Sequence, residues 1–121
     1  MSQLPQFNEQ KQDERLHELR AREEEQLAEM LSGKYGVEYI DLTTRSVDTD
    51  ALRLIPEKSA REAEVAAFRK INKRILVAMR APERPDAVLI MQNLERLGYR
   101  VERFIASHNS LEHAWERYKD H

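Results

Sequence analysis

The spacing of histidines, carboxylates and cations limits what chemistry these 121 residues can support. His17-Glu18 begins an HExxH spelling, which on a helix would set two imidazoles one turn apart around zinc, but the fifth position is Ala21. His113 and His121 stand two turns apart with Arg117 between them, a cation that would repel a metal. Ser107, His108 and Asp120 are the residue types of a nucleophilic triad, yet proximity in sequence does not supply the hydrogen-bond relay that makes one. His108 precedes a helix start and reads as an exposed or cap-associated imidazole. Glycine occurs only at Gly33, Gly36 and Gly98, in no relation to a Lys-Ser or Lys-Thr pair, so the GxxxxGK(S/T) cradle for a nucleoside triphosphate is excluded. The chain has no cysteine, which removes disulfides, Cys/His zinc sites and thiol catalysis. No catalytic residue, cofactor site or metal site is expected.

Charge is the chemistry that remains. Arg69, Lys70, Lys73, Arg74, Arg80 and Arg84 set a run of cations against a single acid, Glu83, around a turn signal at Asn72-Lys73. Three uses fit such a run: a solvated edge that discourages strand pairing, a contact for phosphates or an acidic protein partner, or a nucleic-acid surface. Nucleic acid is disfavoured, because Phe68 is the only aromatic in the segment for a base to stack on. These six residues are therefore the candidate partner contacts. Glu23, Glu24 and Glu25 form the kind of run that usually makes a solvated helix face. Trp115, with Leu111 and Tyr118, reads as core.

Positioning these groups needs elements, and composition bounds them. A length of 121 residues fits one domain, and 40% apolar with 35% charged residues describes a small core under a crowded polar surface. No apolar run approaches the ~18 residues of a membrane helix, and MSQLPQFNEQKQDERL lacks an export h-region, so a cytoplasmic chain without membrane insertion is expected. Charge divides the chain: residues 1–32 carry 8 acids and 4 bases, and 33–121 carry 14 and 16. The spacing predicts a charged N-terminal helix over 1–32, frayed at 1–12 and stopped by Gly33, with a stripe of Leu16, Leu19, Leu27, Met30 and Leu31 that buries only in its last turns. Residues 33–121 are expected to form a small α+β domain. VEYIDL predicts a short strand, Asp48 or Thr49 caps a short helix ended before Pro56, and a second short helix follows over Glu57–Ala63. Glu64–Ile71 and Arg74–Met79 read as a hairpin. Ala87, Ile90, Met91, Leu94 and Leu97 mark one face of a helix from Pro85 or Asp86 to Gly98, and Arg100–Ala106 reads as a strand. A capping box at Asn109-Ser110-Leu111-Glu112 then starts the last helix. The fold class is α+β: a long N-terminal helix followed by a small mixed sheet with packed helices.

Several segments together resemble the N-terminal domain of the assembly ATPases of type II secretion and type IV pilus systems (the GspE/PilB/MshE kind). The resemblance rests on YGVEYIDL, LRLIPEKSAREAEVAAF with its Leu54-Ile55-Pro56-Glu57 core, ILVAMRAPERPDAV, LERLGYRVERFIAS and SLEHAWERYKD, in order over residues 27–120. It implies a non-catalytic docking and regulatory domain that precedes a hexameric ATPase core and binds the cytoplasmic part of an inner-membrane platform protein. The ATPase core's phosphate loop is absent from this sequence, so no enzyme activity carries over. A cyclic di-GMP or other nucleotide-sensing role is the alternative. Some members bind that dinucleotide through motifs beginning Arg-Leu-Gly; here Arg96-Leu97-Gly98 supplies the tripeptide without the following glycine and leucine series.

Overall fold

The computed structural model describes residues 3–120, with side chains from Gln12 onward. It is α+β: a long N-terminal helix, further helices and a four-stranded mixed sheet. Helix α1 spans Gln3–Tyr35 and strand β1 Glu38–Tyr39; a 3₁₀ turn at Leu42–Thr44 leads to α2, Thr49–Leu52, and α3, Glu57–Ala63. Strands β2, Val65–Ile71, and β3, Arg74–Met79, form the hairpin; α4, Pro85–Arg96, precedes β4, Arg100–Ile105, and α5, His108–Trp115, ends in a 3₁₀ turn.

The strand order is β1-β4-β3-β2, with β1, β4 and β3 parallel and β2 antiparallel to β3. Parallel neighbours need a crossover, and α4 supplies it between β3 and β4. Ile75, Val77 and Met79 on β3 lie opposite Val101, Arg103 and Ile105 on β4, so these six share a face. Ala87, Met91 and Leu94 of α4 join their core, and Arg103 reaches Glu95 of α4 at 3.8 Å. Leu76, Ala78, Glu102 and Phe104 take the other face.

A bulge decides where the hairpin's charges go. Ala67 pairs with Val77 while Arg69 pairs with Leu76, leaving Phe68 as the extra residue. Without it, strict alternation would keep Arg69 on the face that α4 buries. The slip moves Arg69 to the open face beside Leu76 and turns Phe68 toward Phe104, with ring centroids 5.4 Å apart in an edge arrangement. Asn72 takes φ 55° at the hairpin turn, a left-handed value that asparagine tolerates better than most side chains.

Several local expectations change. Helix α1 does not stop at Gly33; it runs to Tyr35, and Gly36 takes the left-handed φ of 66° that lets Val37 N–H return to Ser32 O at 3.1 Å. Of the segment 1–12 expected to fray, residues 1 and 2 lie outside the described residues, and from Gln3 the backbone is helical. Of the leucine stripe of α1, Leu16, Leu19, Leu27 and Met30 are exposed, Leu31 in the last turns is half-buried, and Ala28 is the fully buried residue. A small side chain allows close approach, and polar bonds from Glu25 then hold the helix down. In α4, Leu97 is 67% exposed, because the helix ends at Arg96 and Leu97 turns away from the Ala87–Met91–Leu94 face into a cap completed by Gly98, φ 96°. Helix α5 starts before Asn109: Ser107 is the N-cap, its hydroxyl accepting from Ser110 N–H at 3.1 Å, and Glu112 bonds His108 instead of capping.

Candidate partner-docking surface

The structure divides the six candidate cations between the two ends of the sheet. Arg69, Lys70, Lys73 and Arg74 surround the β2–β3 turn, whereas Arg80 and Arg84 follow the far end of β3, separated from Arg74 by a strand length of about 20 Å. Arg84 is engaged internally: it donates to Glu62 O at 2.7 Å and pairs with Asp86 at 2.8 Å and Glu64 at 3.6 Å. Arg80 is half-buried beside Glu24, Ala28 and Ser107, between α1 and the sheet. Arg84 is occupied by the fold; Arg80 has no carboxylate within 4.0 Å among the described residues but is half-buried against α1.

At the hairpin end, Arg74 is spoken for as well, donating from Nε at 2.9 Å and Nη2 at 2.6 Å to Glu102. Lys70 and Lys73 have no carboxylate within 4.0 Å among the described residues; each ammonium lies over the Tyr99 ring, at 5.9 and 5.5 Å from its centroid. Arg69 and Arg100 are exposed nearby, Arg100 opposite Arg74 on β4. Ile71 and Leu97 add exposed apolar surface beside them. This end is a cationic surface with an apolar component and no reactive convergence. Sequence reasoning missed Tyr99, Arg100 and Arg45, which join it from segments far along the chain. The parallel register of β3 with β4 is what brings Arg100 there, and no local pattern announces it.

The opposite end is closed by polar bonds that the sequence did not announce. Glu25 of α1 accepts from Tyr39 OH and from Ser107 Oγ, the latter at 2.5 Å, tying α1 to β1 and to the start of α5. Burial, reinforced by the bonded Glu25 carboxylate, pushes the Tyr39 phenol well above its ordinary range. Buried Ser110 Oγ accepts from Leu42 N–H at 3.1 Å, and Trp115 Nε1 donates to Val65 O at 2.9 Å. Tyr118 OH lies 2.7 Å from Ile55 O and 3.1 Å from Leu52 O; burial, then the nearby Glu57, raises its phenol too. Glu64, in a left-handed conformation at the end of α3, holds His108 Nδ1 at 2.7 Å, and Glu112 holds Nε2 at 2.6 Å. His108 is thus fixed by two carboxylates, not poised as a base beside Ser107. His113 stands on α5, and His121 lies outside the described residues. Among the described residues no three His, Asp or Glu side chains converge as metal ligands, and no helix is long and apolar enough to cross a membrane.

Comparison with known proteins agrees with this architecture. The MshEN domain family matches residues 35–121. A type IV pilus assembly ATPase, PilB of Myxococcus xanthus (strain DK1622), is 34% identical over 96 residues. The match covers 79% of this chain and 17% of that protein, so the chain spans about a sixth of its relative's length. A solved structure described as MshE with cdg superposes with a TM-score of 0.68 at 29% identity, over 77% of this chain and 66% of the other. The matched part is a domain of that kind and not an ATPase core, and the expected resemblance to secretion and pilus ATPases is confirmed. From the end of α1 at Tyr35 to its last residue, the chain belongs to the MshEN domain family, found at the N-terminus of type II secretion and type IV pilus assembly ATPases.

Proposed function

We propose that this chain is a non-catalytic docking and regulatory domain for a type II secretion or type IV pilus assembly ATPase, and that it binds the cytoplasmic part of an inner-membrane platform protein. The hexameric ATPase core is its other partner, carried on the same or a separate polypeptide, and its place is the cytoplasmic side of that membrane. The observation that carries this reading is the hairpin end: Arg69, Lys70 and Lys73 lack carboxylate partners among the described residues, while Arg74 and Tyr99 hold the surface in shape. Unmatched like charges on a folded surface cost solvation and repulsion to bring together, which a complementary partner relieves. Co-purification of the chain with the platform protein's cytoplasmic domain tests it; binding that weakens with salt is expected, and folded protein that captures none of that domain rejects it.

Cyclic di-GMP sensing is the second reading, favoured by the match to MshE with cdg, where cdg is taken as cyclic di-GMP. Cations of the Arg69 to Arg84 run, with Arg69, Lys70 and Lys73 exposed at the hairpin end, are the groups that would meet its phosphates; Arg96-Leu97-Gly98 lacks the rest of the motif and closes α4. Calorimetric titration with cyclic di-GMP separates the two: a flat titration removes sensing and leaves docking untouched.

A further inference from the structure

Strands β3 and β4 are a parallel pair at the centre of the sheet, and parallel strands are normally covered on both faces. Helix α4 covers one. On the other, the chain from Ile40 to Asp48 crosses only the end nearer α5, where Asp48 N–H donates to Phe68 O at 2.9 Å. Leu76 toward the hairpin and Phe104 opposite Ala78 are left half-buried, and Arg69, Ile71 and Arg74 are exposed. Between the Arg45-Ser46 stretch and Arg69 this leaves a slot of about 470 Å³ with an apolar floor of Phe68, Leu76 and Phe104. Its rim carries Arg45 and Arg69, neither with a carboxylate within 4.0 Å among the described residues, against one acid, Glu38.

We propose that this slot is the seat for an acidic segment of the platform partner: one aliphatic or aromatic side chain rests on Leu76 and Phe104, and flanking carboxylates meet Arg45 and Arg69. The proposal rests on the docking reading and adds the place and chemistry of the contact. A recessed apolar floor rewards a protruding side chain, the usual anchor of an interface, and the arginines add orientation and encounter rate. A flat anionic bilayer would instead touch the projecting Ile71 and Lys73 and leave the floor unfilled.

Amide chemical shifts of the labelled full chain are followed on titration with the platform protein's cytoplasmic domain, with an acidic pentapeptide centred on phenylalanine, and with its lysine counterpart. Shifts centred on Arg45, Arg69, Leu76 and Phe104 are expected with the first two and not with the third. The double substitution Arg45→Glu, Arg69→Glu is expected to weaken partner binding about tenfold or more, and Arg53→Glu, exposed outside the slot, to leave it unchanged. Partner binding that survives the double substitution overturns the slot while docking stands. Absence of partner binding by the unaltered chain rejects docking; the acidic peptide then decides the slot alone, by shifting its residues or not. Co-sedimentation with phosphatidylglycerol vesicles that is tighter than peptide binding and lost in the double variant overturns the peptide assignment in favour of a membrane.

Discussion

The two ends of the sheet handle polar groups in opposite ways. Around α5, every buried polar side chain among the described residues has a partner: Ser110 with Leu42 N–H, Trp115 with Val65 O, Tyr118 with Leu52 O and Ile55 O. Around the β2–β3 turn, Arg69, Lys70 and Lys73 extend without carboxylates, two of them resting only on an aromatic ring. The first end spends its polar groups on uniqueness of fold, since an unmade buried bond is expensive. The second keeps its polar groups available. A small domain can thus place stability and recognition at opposite poles, so that changes to one leave the other nearly intact.

Substitutions can break that separation, beginning with the closed end. Trp115→Ala removes a fully packed ring and leaves Val65 O without its donor; a loss of about 3–5 kcal/mol is expected in urea unfolding, a large share of the stability of so small a domain. Ser110→Ala strands the buried Leu42 N–H and is expected to cost about 1–3 kcal/mol by the same measurement. Tyr118→Phe sharpens the comparison through pH. The folded chain holds the Tyr118 phenol above its ordinary value, so the unfolded chain loses that proton first. The resulting stabilisation is complete below a pH of about 10 and declines as pH rises toward the folded value; the phenylalanine variant should lack that part of the alkaline decline in thermal melts. At the open end, Lys70→Glu with Lys73→Glu is expected to change stability by no more than about 0.5 kcal/mol while impairing capture of the platform protein's cytoplasmic domain. A large stability loss there would show that the cations brace the fold.

Much of the fold could be read locally because local forces set it. Proline at 56 and 85 and the apolar period of Ala87, Met91 and Leu94 locate α3 and α4, and asparagine at 72 locates the hairpin turn. The face of α1 could be read only in part, at Leu31 in its last turns: leucines usually point inward, but this helix is held chiefly by Glu25 and Ala28, and the hydroxyls that Glu25 meets come from Tyr39 and Ser107. The last helix was displaced from its expected cap because Ser107 and Asn109 are both competent, and the bond from Ser110 N–H to Ser107 decides between them. The cation run shows the same limit from the other side. Arg69 to Arg84 is continuous in sequence, yet an intervening strand carries Arg80 and Arg84 to the far end, and the structure puts Arg45 and Arg100 in their place. The phase change at Phe68 had one visible trace, the failure of strict alternation after Ala67.

Helix α1 has a mechanical consequence. From Gln12 to Arg20 its side chains are exposed, and contact with the body begins only near Ala21. The segment from Ala28 back to Gln12 is about 24 Å long at 1.5 Å per residue, so a tilt of about 10° about Ala28 would displace Gln12 by roughly 4 Å. Sub-ångström yielding at the Glu25 clasp would therefore emerge, magnified, at the distal tip of the rod.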